Sequence, residues 1–194
     1  GKTVTVSGIT AAGTDGPNYT VTQPVGTARI SPKTLNVINI TASSRVYDRT
    51  VSATNLLSTG TAALSGKVSG DDVTLSTAGA TASFDDKNAG NGKTVTVSGL
   101  TVSGNDADNY SLVQPTTTAD ITRKSITVEN ITAQNKSYDG TTVATLVTGS
   151  ATFTGVVTGD SVTVDATGGA GNFASAGYGT SKAVTVTGLS LIHI

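Results

Sequence analysis

A ten-residue motif occurs three times in this chain, and its spacing limits the folds that are possible. The copies are GKTVTVSGIT from Gly1, GKTVTVSGLT from Gly92 and SKAVTVTGLS from Ser181. Their lysines, Lys2, Lys93 and Lys182, are 91 and then 89 residues apart. A repeat of that length is too long for one coil of a solenoid and is typical of a small autonomous domain. We therefore predict a tandem array of similar domains.

The residues between these motifs recur as well, and they set the domain boundaries. Asn18-Tyr19 matches Asn109-Tyr110, 91 residues further along the chain. The register predicts three segments, which we call the first, second and third copies. They are the C-terminal third of a domain at 1–32, a complete domain at 33–123 and the N-terminal two-thirds of another at 124–194. Residues 191–194 depart from the repeat, and we interpret them as a foreign tail.

Short stretches of alternating residues predict β-strands. Val95 and Val97 alternate with threonines, and the chain has 23 glycines and only 13% charged residues. Abundant Val and Thr between glycines favour strands joined by turns. Strands with one apolar and one polar face are typical of antiparallel sheets that stack in two layers. We predict an all-β fold built from antiparallel β-sandwiches. A β-grasp-like or other mostly-β unit is the alternative, because alternation does not give strand order.

The first strand of the second copy changes phase within itself. Leu35 and Val37 occupy one phase of the alternation, whereas Ile40 occupies the other. The third copy repeats this change. We therefore expect a β-bulge, or a strand that crosses from one sheet to another, near Asn39 and Asn130.

One segment resembles the tyrosine corner of immunoglobulin-like domains. Asp106 lies four residues before Tyr110, and Asp15 lies four residues before Tyr19. The resemblance implies tandem immunoglobulin-like sandwiches in which the tyrosine hydroxyl bonds to the backbone of its own corner. Leu112 stands where an immunoglobulin domain has its second cysteine, so apolar packing must replace the disulfide.

Composition argues against several classes of function. The net charge is −1, which gives no electrostatic reason to expect nucleic acid or an anionic membrane surface as a partner. No apolar run approaches the roughly 20 residues that span a bilayer. The chain has no cysteine, so it has no disulfide and no thiolate nucleophile.

We expect no catalytic site, no metal and no cofactor. The single histidine, His193, falls in the suspected foreign tail, which argues against a catalytic triad. Calcium is the one metal worth weighing, since it prefers carboxylate oxygens, and its candidate ligands are Asp85, Asp86 and Asp106. Aspartates beside Gly and Asn are, however, typical of turns.

A Tyr-Asp turn sequence recurs in register and carries a family resemblance. It is Tyr138-Asp139-Gly140 in the third copy and Tyr47-Asp48-Arg49 in the second. With the motifs above, it resembles the YDG-type repeats of filamentous haemagglutinin-like bacterial surface adhesins. The resemblance implies an extracellular or outer-surface location and a role as a stalk. If the third position needs a positive φ, Arg49 bears a strain of about 1 kcal/mol.

The expected function is that of a non-catalytic spacer whose partners are neighbouring repeats of the same polypeptide. Only Arg123-Lys124 separates the predicted last strand of one copy from the first of the next. Such a short connection without a Gly/Ser tract restricts the swing between domains. The alternative is a module of the adhesin that binds a host or environmental glycan or protein through its loops.

Overall fold

The computed structural model describes residues 1–193, and their regular structure is almost entirely β. Those residues include no α-helix, only three short 3-10 turns, at Gly16–Asn18, Thr54–Leu56 and Ala107–Asn109. No helix within 1–193 has the length and apolar character needed to cross a membrane. The prediction of an all-β chain is confirmed.

The strands are short and numerous. In the first half they are β1 (Lys2–Thr5), β2 (Val25–Ala28), β3 (Lys33–Ile38), β4 (Thr41–Ala42), β5 (Arg45–Val46), β6 (Leu57–Ser58), β7 (Ala63–Ser65), β8 (Thr74–Ser76), β9 (Thr81–Phe84) and β10 (Gly90–Ser98). In the second half they are β11 (Thr101–Ser103), β12 (Tyr110–Val113), β13 (Thr116–Thr122), β14 (Thr127–Glu129), β15 (Thr132–Ala133), β16 (Val143–Ala144), β17 (Leu146–Val147), β18 (Thr152–Thr154), β19 (Val162–Asp165), β20 (Ala170–Phe173), β21 (Val184–Thr187) and β22 (Ser190–His193).

Backbone contacts divide the chain into two compact units. Unit 1 consists of 1–43, 52–85 and 94–118, and unit 2 of 44–51, 86–93 and 119–194. These units follow packing rather than repeat register. The boundaries at 32/33 and 123/124 therefore stay predictions.

Unit 1 contains most of the buried apolar side chains. Leu35, Val95 and Val97 are completely buried, as the period-two pattern requires of inward-facing positions. Leu35 packs with Val73 and Tyr110 in one cluster. In this unit β3 lies between β12 and β7, β11 pairs with β8, and β10 pairs antiparallel with β9.

The prediction of purely antiparallel pairing is wrong for two pairs of strands. In unit 1, β12 runs parallel to β3, with Leu112 opposite Leu35. In unit 2, β13 runs parallel to β5, with Ile121 opposite Arg45. Both pairs join strands that are distant in sequence. Alternation of side chains is the same in parallel and antiparallel strands, so it does not give the direction of such pairs.

The phase change at Asn39 is a crossing between sheets. β3 pairs with β7 and β12, whereas β4 pairs with β6 in a separate sheet. Asn39 has φ +63°, and Asn130, its equivalent in the next copy, has φ +61°. Asparagine enters this left-handed region more readily than most residues. The second of the two predicted explanations is therefore confirmed.

Unit 2 repeats several of these pairings. β20 lies between β16 and β21, β14 pairs with β18, and β19 pairs with β22. The β19–β22 ladder corresponds in register to β8–β11, so the backbone keeps the repeat's pairing through Ile192. Ile194 lies outside the described residues, and the foreign origin of 191–194 stays a prediction.

Candidate functional site

Each Tyr-Asp turn is closed by its aspartate. Oδ1 of Asp139 accepts hydrogen bonds from the N–H (2.9 Å) and the hydroxyl (3.0 Å) of Thr141. Oδ1 of Asp48 accepts the same two bonds from Thr50, both at 2.9 Å. An aspartate that bonds the backbone two residues ahead holds the chain in a turn. The two copies therefore share one turn structure.

The third position of this turn does have a positive φ. Gly140 has φ +77° and Arg49 has φ +70°. Glycine adopts this region without penalty, but a side chain brings its Cβ too close to the following carbonyl. Arg49 therefore carries the strain of about 1 kcal/mol anticipated for it.

A basic residue three positions before each aspartate also belongs to the turn. Lys136 Nζ lies 2.8 Å from Asp139 Oδ1, and Arg45 Nη2 lies 3.2 Å from Asp48 Oδ1. The hydrogen bond from Lys136, supported by those from Thr141, lowers the pKa of Asp139 to about 2. Sequence reasoning missed these basic residues, although their shared offset of 91 was available as a signal.

The turn of the second copy holds a Gly-Asp turn of the third, and both lie in unit 2. The Tyr47 hydroxyl donates to Asp160 Oδ1 at 3.2 Å. Arg49 Nε lies 3.4 Å from the same oxygen, and its Nη1 donates to the Thr158 carbonyl at 3.2 Å. The Asp160 side chain is only 13% exposed. A Cβ at Gly159 would collide with the Arg49 guanidinium, so only glycine fits there without movement.

Burial of Tyr47 and its bond to Asp160 both raise the pKa of the phenol. The tyrosine consequently stays protonated as a hydrogen-bond donor at neutral pH. A cavity of about 290 Å³ lies beside the contact and is also part of unit 2. Tyr47 and Asp160 line it together with the apolar side chains of Ile126, Val156 and Val157. The contact thus combines a cluster of hydrogen bonds to the charged Asp160 with apolar side chains that line the cavity beside it.

The equivalent tyrosine of the third copy is in a different environment. Tyr138 is 75% exposed, whereas Tyr47 is partly buried. A Cβ at Gly140 would meet nothing within 4 Å. The Tyr138–Asp139–Gly140 turn therefore has the same structure as that of the second copy, but its tyrosine and its glycine are exposed.

Tyr110 uses its hydroxyl differently from the expected corner. The hydroxyl donates to Asp71 Oδ2 at 2.5 Å and accepts the Val68 N–H at 2.9 Å. The predicted bond to the backbone of its own corner is thus replaced by bonds to the loop before β8. Asp106 Oδ2 accepts the Asp72 N–H at 2.8 Å and supports the same loop.

The first-copy equivalents do not make these contacts. Tyr19 is 72% exposed, and the side chain of Asp15 does not cap the 3-10 turn that follows it. Residues 1–193 bring no segment onto Tyr19 that corresponds to the Val68–Asp71 loop. The buried position of Tyr110 therefore depends on the loop that covers it.

The three calcium candidates are in different environments. Asp86 is paired with Lys93 at 2.8 Å, Asp106 is bonded to backbone, and Asp85 is exposed. Within residues 1–193, no group of three or more acidic, histidine or cysteine side chains lies close enough to hold a metal ion.

Comparison with known families gives one finding. The model of a family described as the YDG domain matches residues 31–119 and 122–192. These two ranges cover most of the chain and agree with its repetition. No match to the chain was found among curated proteins or solved structures.

Proposed function

This chain belongs to the YDG domain family, and from that membership we propose that it is a stalk segment of a secreted bacterial surface adhesin. In this proposal the repeats have no catalytic role. They separate an adhesive region from the cell that carries it. The resemblance to filamentous haemagglutinin-like adhesins supports this role and the extracellular location.

The observation that carries the proposal is the tight succession of two copies of one family domain. The first match ends at residue 119 and the second begins at 122. Only residues 123–126 separate β13 from β14. A flexible tether would need a longer, Gly/Ser-rich connection. A succession of domains without flexible tethers suits a spacer, because its length then grows with each added copy.

We also propose that each repeat is an immunoglobulin-like sandwich. The completely buried side chains of Leu35, Val95 and Val97 suit facing sheets, although the two parallel pairs depart from the simplest arrangement. A β-grasp-like unit is the competing fold. An experimental structure of 33–123 within the full chain distinguishes them by strand order.

Small-angle scattering tests the stalk. Polypeptides with two, three and four complete repeats should show a maximum dimension that rises by a constant increment for each repeat. A dimension that grows approximately as the square root of repeat number, as for a flexible coil, would contradict the proposal.

A glycan array tests the competing role as a binding module. The chain should give no saturable signal above that of an unrelated β-sandwich of similar charge. Saturable binding of one glycan class, abolished by substitutions in the loops alone, would favour the binding module instead.

A further inference from the structure

The Tyr47–Asp160 contact joins two motifs that each occur twice in the chain. One is the Tyr-Asp turn, represented by Tyr47 and Tyr138. The other is the Gly-Asp turn, represented by Asp160 and by Asp71, which lies 89 residues before it. The other Tyr-Asp turn and the other Gly-Asp turn therefore have the same residues with which to make this contact.

In each of the two aspartates, the tyrosine hydroxyl reaches only one of the two carboxylate oxygens. Asp71 accepts the hydroxyl of Tyr110 on Oδ2, whereas Asp160 accepts the hydroxyl of Tyr47 on Oδ1. Among the described residues, no hydrogen bond reaches Oδ1 of Asp71. A carboxylate has lone pairs for both kinds of bond at once. One Gly-Asp turn is thus able to hold its own corner tyrosine and the tyrosine of a second turn.

Exposure shows which turns are occupied. Tyr47 is partly covered where it meets Asp160, while Tyr138 is 75% exposed with the same turn geometry. Both turns have a positive φ at the third position and an aspartate bonded to a threonine. The difference in exposure follows from the presence of a Gly-Asp turn against one and not the other.

We propose that the Tyr138–Asp139–Gly140 turn is a docking surface for the Gly-Asp turn of another copy of this repeat. Oδ1 of Asp71 is the matching acceptor for the Tyr-Asp turn of a further copy. The contact is head-to-tail, because the donor turn and the acceptor turn come from different positions within the repeat. The inference rests on the proposed stalk only for its biological purpose, which is to fix the join between successive repeats.

Site-specific cross-linking tests the contact in the full chain, which contains no cysteine of its own. Ser137→Cys marks the donor turn in one preparation and Ser69→Cys marks the acceptor turn in another; both serines are exposed. A short bis-maleimide is added to the two preparations separately and as a mixture. Heterodimers in the mixture should exceed the mean of the two homodimer yields by several-fold.

Two further substitutions tie the yield to the proposed atoms. Tyr138→Phe in the donor chain should lower heterodimer yield roughly three- to tenfold, since it removes the hydroxyl that donates to the carboxylate. Gly140→Arg in the donor chain should raise the yield, because Arg49 shows that an arginine there reaches the aspartate. Tyr178→Phe is the matched control at a tyrosine that is 94% exposed, and it should leave the yield unchanged.

Heterodimers no more abundant in the mixture than random pairing of the two preparations gives would overturn the docking proposal, as would a yield insensitive to Tyr138→Phe. Those results would leave the stalk proposal standing if scattering still showed constant growth per repeat. If the maximum dimension did not rise by a constant increment for each repeat but the cross-linking result held, the stalk proposal would fail and the docking proposal would stand. The two failures are therefore distinguishable.

Discussion

Gly99→Ala is the substitution for which the structure predicts the clearest loss of stability in unit 1. Gly99 has φ +78° and lies between β10, which pairs with β9, and β11, which pairs with β8. The backbone carbonyl of Gly79 lies directly beside Gly99. A Cβ at Gly99 would overlap the Gly79 oxygen and lie 3.0 Å from its carbonyl carbon.

Two separate penalties set the size of the loss. A left-handed backbone conformation costs an alanine about 1–2 kcal/mol relative to glycine. Displacing the Gly79 carbonyl costs a further amount of about 1–3 kcal/mol, the usual range for overpacking a rigid site. The sum of roughly 2–5 kcal/mol is a large fraction of the stability of a small domain.

Gly8 supplies the matched control, because it occupies the same motif position in the first copy. Its φ is +83°, but a Cβ there would meet nothing within 4 Å. Gly8→Ala should therefore show only the conformational penalty. The comparison separates backbone strain from steric overlap within one chain.

Urea unfolding followed by resolved amide resonances of unit 1 measures both variants. With a slope of about 2 kcal/mol per molar urea, Gly99→Ala should lower the midpoint by about 1–2.5 M. Gly8→Ala, with the conformational penalty alone, should lower it by about 0.5–1 M. A shift for Gly99→Ala no larger than that for Gly8→Ala would refute the overlap with Gly79 as the cause.

Three further predictions concern the turns and the corner. Tyr110→Phe should lower the urea midpoint of unit 1, because Asp71 loses the hydroxyl that donates to it. Tyr19→Phe, at a site that is 72% exposed, should not lower the midpoint. Equal effects of the two substitutions would contradict the hydrogen bond between Tyr110 and Asp71. Arg49→Gly should leave the stability of unit 2 nearly unchanged at low salt, because about 1 kcal/mol of relieved backbone strain offsets the loss of an ion pair of similar strength. At 1 M NaCl, where the ion pair is screened, the same substitution should stabilise unit 2. Destabilisation at high salt would refute the proposed strain at Arg49. The carboxyl of Asp139 should titrate with a pKa of about 2 by carbon NMR, and Lys136→Ala should return that pKa toward 3.8. Because the folded pKa is lowered, the stabilisation from the ionised carboxylate is complete above pH 3.8 and disappears as the pH falls through about 2. A titration midpoint of Asp139 that Lys136→Ala does not move would exclude Lys136 as the cause.

Several features were predictable from the sequence because they depend on neighbouring residues. The all-β character follows from alternation such as that of Val95 and Val97. The sheet crossing at Asn39 follows from a change of phase within one strand. The positive φ at Arg49 follows from the glycine at the equivalent position of the other copy. Each of these is decided over a few residues, and the repetition of the chain shows each pattern twice.

The tertiary structure alone decided which distant groups meet. Tyr110 bonds Asp71 from 39 residues away and Tyr47 bonds Asp160 from 113 residues away. The parallel direction of β12 beside β3 is of the same kind. Local periodicity shows which face of a strand is buried but contains no information on which strand lies beside it or in which direction it runs. Those choices follow from packing the whole unit, because only there do residues far apart in sequence come within hydrogen-bond distance of each other.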